Sequence, residues 1–329
     1  MQLDLMAYDQ LAELEFQVSE ELRLRYFEGG ISGVNMNKAE TIQVFTDDIR
    51  KDSADPVFPY ESEMLARLLQ EWSKGTKAAM KEALKILTGD LAMSAYDAQQ
   101  VLEAFSTRLG TEFGAAVAPD VKSLMDLSYR DGKKFIVEPK DLTYNIAIAD
   151  ETAIAWLQEH HIYWINGYYD KNISDMIAEI IEIGMQEGLS RVEIGDDLKR
   201  FFDSYPGLSQ KPDVYWRGMA ANGMNRSRNF GMIQGYQEVG ITMLEFMAVM
   251  DERTSDVCRE MNGRRFPVAT AADQRDKMMG AATPEQAIEY APWPKIDDIK
   301  DLRTSEINAK GVVMPPLHYH CRSTVVEVS

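Results

Sequence analysis

Apolar residues recur at three- and four-residue spacing through much of the chain up to about position 240, the period of amphipathic helices. Met64, Leu65, Leu68, Leu69 and Trp72, then Met80, Leu84, Leu87 and Leu91, predict two helices between Glu61 and about Asp90, divided at Gly75–Thr76 and closed at Gly89. Tyr96, Val101, Leu102, Phe105, Leu109 and Phe113 predict another from about Ala95 to Val117, with Pro119 interrupting the pattern or opening the next helix. The segment Asp131–Asp141, DGKKFIVEPKD, reads as a turn-rich break. Beyond it, Glu151 to His161 is helical in pattern and Asn166–Gly167 reads as a turn. Ile173, Ile177, Ile180, Ile181 and Met185 then line a long helix that stops at Gly188. Ser190 and Glu193 form a Ser-x-x-Glu capping box for a helix from Arg191 to Phe202. A last long helix runs from Val214 to about Val239 and closes at Gly240.

The pattern changes after Gly240. ITMLEFMAVM has strand length, GRRFPV and the alternating STVVEV predict further short strands, and loops and turns such as EYAPWP fill the rest from Asp251 onward. The expected fold is mainly α with a C-terminal α+β module: a helical N-terminal domain, then long helices leading into a small antiparallel sheet. The expected domains are 1–145 and 146–329, the second divided into helices over 151–240 and a loop and strand module over 241–329.

Charge refines this division. The 329 residues carry a formal net charge of −18, from 53 acidic and 35 basic side chains. Residues 1–200 hold 36 Asp+Glu against 20 Lys+Arg, net −16, and residues 201–329 hold 17 against 15, net −2. This balance argues against wholesale wrapping of nucleic acid or an anionic membrane, so any DNA contact must be local. Candidate phosphate contacts are Arg217, Arg226 and Arg228 along one helix and the Arg264–Arg265 pair; the alternative is an ordinary solvated face. No stretch has the roughly 18 consecutive apolar residues of a membrane span, and the mixed N-terminal pattern predicts no leader and a mature start at Met1.

Only two cysteines occur, Cys258 and Cys321, which argues against a disulfide-built scaffold and for a reducing compartment. His318 and His320 stand beside Cys321. Cys258, His318, His320 and Cys321 are the conceivable metal ligands, but the spacing contains no C-x-x-C, so no metal or other cofactor is expected. His318 is expected in structural polar contacts with Asp251 or Asp256, and Arg253 as a local brace to Asp251. His160–His161, flanked by Trp156 and Trp164, reads as an aromatic packing patch.

The order AxxDERTSxxCxxxNGRxF, a loop, then PPLHxxCRS and a closing strand resembles the C-terminal signature of the phage Mu protein F family, minor head or head morphogenesis proteins of tailed phages. The matched positions are Asp251, Arg253, Thr254, Cys258, Gly263, Phe266, Pro315, Pro316, His318, Cys321 and Arg322. IAEIIEIGMQEGLSRVEIGDDLKRFF and AANGMNRSRNFGMIQGYQEVG resemble the helices ahead of that signature, so the likeness spans about residues 150–329. Ser255 and Ser323 stand where the family pattern has cysteines, Tyr319 where it has proline, and Ala221–Met224 where it often has Ala-Arg-Thr-Glu. One cysteine therefore survives at each end, and the resemblance implies that Cys258 lies against Cys321, as a disulfide in a finished particle or as packed thiols in the cytosol.

The resemblance further implies a non-enzymatic structural protein of the virion, placed in the capsid interior near the portal and in the host cytoplasm during assembly. Its partners would be portal, capsid or scaffold proteins, with packaged DNA touched only locally. Two other readings compete. One is a toxin such as an ADP-ribosyltransferase carrying a phage-head domain, which the early position of Glu13-Leu14-Glu15 and Glu61-Ser62-Glu63 disfavours; the other is a zinc-dependent nucleic-acid-binding module.

Overall fold

The computed structural model describes residues 58–140, 142–208 and 211–328. The Glu13-Leu14-Glu15 triplet and the N-terminal segment lie outside the described residues. Among the described residues seven helices come first: α1 (Phe58–Ile86), α2 (Ala95–Phe105), α3 (Phe113–Val137), α4 (Ile148–Tyr168), α5 (Ser174–Gln186), α6 (Arg191–Ser204) and α7 (Pro212–Glu238). Single π segments, Ser106–Glu112 and Tyr169–Ile173, join α2 to α3 and α4 to α5. The C-terminal part interleaves β1 (Met243–Met247), β2 (Arg265–Pro267) and β3 (Thr324–Glu327) with α8 (Asp256–Met261), α9 (Val268–Met279), α10 (Pro284–Glu289) and α11 (Thr304–Ala309). The chain is mainly α with a C-terminal α+β module, as its pattern predicts.

Residues 73–110 and 168–215 form one compact unit. Its helix starts are chemically specified: Ser94 and Asp97 cap α2, and Ser190 and Glu193 cap α6 through the predicted capping box. Arg191 joins the two starts, its backbone N–H donating to the Leu91 carbonyl at 3.0 Å and its guanidinium meeting Asp97 at 2.7 Å. Phe105 and Phe202 stack at 5.0 Å between the same helices. The predicted break at Gly75–Thr76 does not form, and α1 runs through it. A Cβ on Gly75 would sit 3.1 Å from the Leu109 side chain, so glycine serves close packing there rather than a turn.

Residues 58–72, 111–167 and 216–328 form the other unit. Here α3 and α7 cross at near contact: a Cβ on Gly132 would fall 2.2 Å from the Arg228 carbonyl oxygen, and one on Gly231 would fall 2.0 Å from that of Tyr129. The predicted break at 131–141 is therefore mostly helix, with Gly132 consumed by the crossing. Beside it Lys133 is fully buried, its ammonium 2.7 Å from both Asp150 and Glu238. Asp150 also accepts from the Tyr129 hydroxyl at 2.9 Å and the Ala147 N–H at 2.8 Å. Two further punctuation marks are overridden. Pro119 lies within α3, on an exposed stretch with Ala115, so the carbonyl that its missing N–H releases faces water. Asn166–Gly167 continues α4, because Asn166 packs where Gly114 has no Cβ.

The sheet order is β2-β1-β3, antiparallel throughout. Its register sets Leu244 opposite Phe266 and Phe246 opposite Val325, and all four side chains are buried on one face. That face supplies the core of the C-terminal module. The expectation of only loops, turns and strands beyond Asp251 is too sparse, since four short helices intervene. The longest, α9, buries Arg275, which donates to Gln234 and Gln237 of α7 at 3.0 and 3.1 Å.

Removing one acid from the Lys133 cluster leaves a buried ammonium short of a partner, whereas the Arg67–Asp120 pair, 2.5 Å apart, is roughly 40% exposed. Asp150→Ala is expected to cost roughly 3–5 kcal/mol in chemical denaturation, and Asp120→Ala at most about 1 kcal/mol.

Candidate functional site

The resemblance residues converge. From Asp251 to Arg322 they are separated by 71 positions in sequence, yet the Arg322 guanidinium donates to Asp251 Oδ1 at 2.6 Å. Asp251 Oδ1 also accepts from the Arg253 backbone N–H at 2.9 Å, and the Thr254 hydroxyl accepts from the Asp251 N–H at 2.8 Å. Hydrogen bonding from Arg322 holds the Asp251 carboxyl down to about 2, against the opposing pull of burial. The turn after β1 is thereby locked. The Arg253 side chain stands 3.7 Å from Asp251, a looser brace than Arg322 makes.

Ser255 caps α8, its hydroxyl accepting from the Cys258 N–H at 3.2 Å, and so aims Cys258 inward from the first turn. Gly263, at φ +80°, takes the left-handed turn that carries the chain from α8 into β2, where Phe266 enters the core. Pro315 and Pro316, joined by a cis peptide, precede His318 and Cys321. Cys258 and Cys321 are both free thiols, 2% exposed, with sulfurs 3.7 Å apart. His318 Nε2 lies 3.1 Å from the Cys258 sulfur, and its Nδ1 contacts the Tyr319 carbonyl at 2.6 Å. The Ser323 hydroxyl donates to Cys258 Sγ at 3.1 Å. The expected partners of His318, Asp251 and Asp256, are thus replaced by sulfur and a carbonyl, because Arg322 already occupies Asp251.

Electrostatically the two thiols diverge. The hydrogen bond to Cys321, then burial, pushes Cys258 up. Burial alone would also raise Cys321, but the Cys258 bond and the neighbouring imidazole outweigh it and hold that thiol well down. Burial lowers His318, while the adjacent Cys321 sulfur and the Tyr319 carbonyl reverse the sign and leave it raised. The trio can therefore carry a thiolate, bind a soft cation, or form a disulfide after a modest approach of the sulfurs. His320, at φ +56°, lines the same small cleft but lies outside the group of three whose ligand atoms fall within 4.8 Å of one another. Burial takes it down to about 3.

What holds this cluster in place is missing from the sequence reading. The Asn225 amide donates to the Cys321 carbonyl at 2.5 Å and the Ser323 carbonyl at 3.1 Å. Asn229 donates to the Asn225 carbonyl at 2.9 Å and accepts from the Thr324 hydroxyl at 3.2 Å. The same hydroxyl touches Met232 sulfur at 3.5 Å, and the Tyr236 hydroxyl donates to the Val325 carbonyl at 3.2 Å. Asn225, Asn229, Met232 and Tyr236 are spaced i, i+4, i+7 and i+11, one stripe of α7. Asn225 and Asn229, one helical turn apart and in line with Met232 and Tyr236, are the signal that could have revealed it.

The candidate phosphate contacts do not share a face. Arg228 is buried, its guanidinium 5.2 Å from the Phe135 ring centre. Arg226 points to His160 Nε2 at 3.4 Å, and burial lowers it to about 10. Arg264 bonds Glu260 and the Leu302 carbonyl, and Arg265 meets Glu245 at 2.8 Å across β1 and β2. Arg217 lies near His320. His160 and His161 are buried, with Trp156 stacked on His160 at 4.7 Å, in agreement with a packing patch. Comparison with protein-family models, with curated proteins and with solved structures finds no match.

Burial takes His160 down to about 2 and His161 to about 3, with Arg226 adding to both. An unfolded histidine titrates near 6.5, so below that pH the unfolded chain binds protons that the folded one refuses. The denaturation midpoint is expected to fall steadily from pH 7 to pH 5, and less steeply in a His160→Asn/His161→Asn variant. A midpoint flat over that range contradicts the burial of neutral rings.

Proposed function

We propose that the chain is a non-enzymatic structural protein of a tailed phage or prophage head, of the Mu F-like kind, acting in prohead assembly near the portal. The observation that carries this reading is the convergence of the resemblance residues on a single brace. Asp251 with Arg322, and Cys258 with His318 and Cys321, join the turn after β1 to the segment before β3, and Gly263 and Phe266 seat β2 between them. Side chains used in this way close a small module onto a helix. Such a module offers a rigid surface to neighbours, which assembly requires, and its strongest polar groups are already spent on one another.

The half-buried Arg226 directed at His160, the buried Arg228 and the internal pairing of Arg264 and Arg265 reduce the case for a phosphate-binding face. Protein partners, portal and capsid or scaffold subunits, are therefore the favoured contacts, and DNA contact is secondary. The test is assembly itself: proheads purified from cells carrying the phage genome, with and without this gene. The chain is expected in wild-type proheads at fixed substoichiometric copy number, and its deletion is expected to lower the yield of DNA-filled heads by at least about tenfold. Proheads of normal composition that fill normally without it contradict the proposal.

A further inference from the structure

We propose that Cys258, Cys321 and His318 bind one zinc ion that staples the segment before β3 to α8. In sequence the ligands stand 60 and 63 positions from Cys258, which is why spacing argues against a metal; the fold removes that objection. The three ligand atoms lie within 4.8 Å of one another. A tetrahedral zinc with Zn–S bonds of about 2.3 Å sets two sulfurs about 3.8 Å apart and a sulfur and an imidazole nitrogen about 3.6 Å apart. The corresponding separations are 3.7 Å for Cys258 to Cys321 and 3.1 Å for Cys258 to His318.

The surroundings also suit a thiolate metal site. A ligating histidine usually donates its second nitrogen to a carbonyl or carboxylate, which fixes the tautomer, and His318 Nδ1 has the Tyr319 carbonyl at 2.6 Å. The Ser323 hydroxyl donates to Cys258 Sγ, and the Leu317 backbone N–H bonds to Cys321. Two thiolates and a neutral imidazole around a dication sum to zero charge. A buried site therefore closes without a stranded ion, which the two thiolates alone could not do. Cys258 and His318 also line a small cleft with Thr254, Ser255, His320 and Ser323, from which water or a serine hydroxyl would complete the coordination.

Ser255 and Ser323 stand at the positions where the resembled pattern carries its other cysteines, and both contact Cys258, one through the backbone N–H and one through the sulfur. Ser323 thus stands at the Cys258 sulfur and Ser255 at its backbone, both beside the two-sulfur, one-imidazole cluster.

The test is a titration of the full chain, reduced and stripped of metal, with cobalt(II) as the spectroscopic stand-in and zinc as competitor. One equivalent of cobalt is expected to give a thiolate charge-transfer band and tetrahedral d–d absorption, both abolished by excess zinc. Cys258→Ser and Cys321→Ser are expected to remove the band, and His318→Asn to weaken binding by more than about tenfold. His320→Asn is expected to leave affinity within about twofold. Ser323→Cys, which adds a sulfur without deleting a ligand, is expected to bind more tightly and does not depend on the other variants folding. A wild-type chain that gives no thiolate band at stoichiometric cobalt overturns the proposal, as does a band that survives in either cysteine variant or falls equally in His320→Asn.

Discussion

A helix buried along most of its length has to find partners for most of the polar groups it takes inside, and α7 takes in many. Asn222, Asn225, Ser227, Arg228 and Asn229 are all less than a tenth exposed. Leaving such a group unpaired costs about 1–3 kcal/mol each, a cost that Asn222 Oδ1 and Ser227 Oγ bear, meeting no hydrogen-bond partner among the described residues, and that Asn225 and Asn229 avoid through partners that are part of the fold. Asn225 and Asn229 find theirs in residues 321–324, the stretch that leads into β3. The terminal segment is held by the helix because the helix requires its carbonyls and its hydroxyl.

That mutual requirement organises the C-terminal module. With residues 321–324 fixed along α7, β3 is placed to pair with β1, and Phe246 meets Val325 on the buried face. The same placement brings Cys321 to Cys258 and Arg322 to Asp251, one from each side of the segment. Two short-range clusters, one of sulfur and imidazole and one of carboxylate and guanidinium, therefore rest on one ladder of amide and hydroxyl bonds. The crossing of α3 over α7 at Gly132 and Gly231, with Lys133 held by Asp150 and Glu238, anchors the helix from another side.

Helical periodicity and capping chemistry are local, which is why the ends marked by Ser190, Gly188 and Gly240 are readable from the chain alone: both glycines adopt positive φ and Ser190 makes its box. Gly75, Gly132 and Asn166–Gly167 carry the same letters as turn formers but are spent on close approach, a distinction that only the neighbouring helix decides. Arginine spacing misled for a related reason. Arg226 and Arg228 look like a basic face in one dimension, whereas α7 is enclosed and they are packed against His160 and Phe135. Of the candidate site, the resemblance picked out the residues that meet and implied the contact of Cys258 with Cys321, found as packed thiols; the expected pairing of His318 with an aspartate is replaced, since His318 goes to sulfur and Asp251 to Arg322. The asparagine stripe that positions them went unread, because polar residues inside a helix ordinarily mark its solvent face.

The central claim, that α7 holds the terminal segment through Asn225, is tested most directly by amide hydrogen exchange on the intact chain carrying Asn225→Ala. Loss of the amide leaves the Cys321 and Ser323 carbonyls without this donor, so protection is expected to fall selectively across residues 321–327 and the paired amides of β1. The capped helices α2 and α6 should exchange as in the parent chain. Unchanged protection in β3, or a loss spread evenly over both units, would contradict the account.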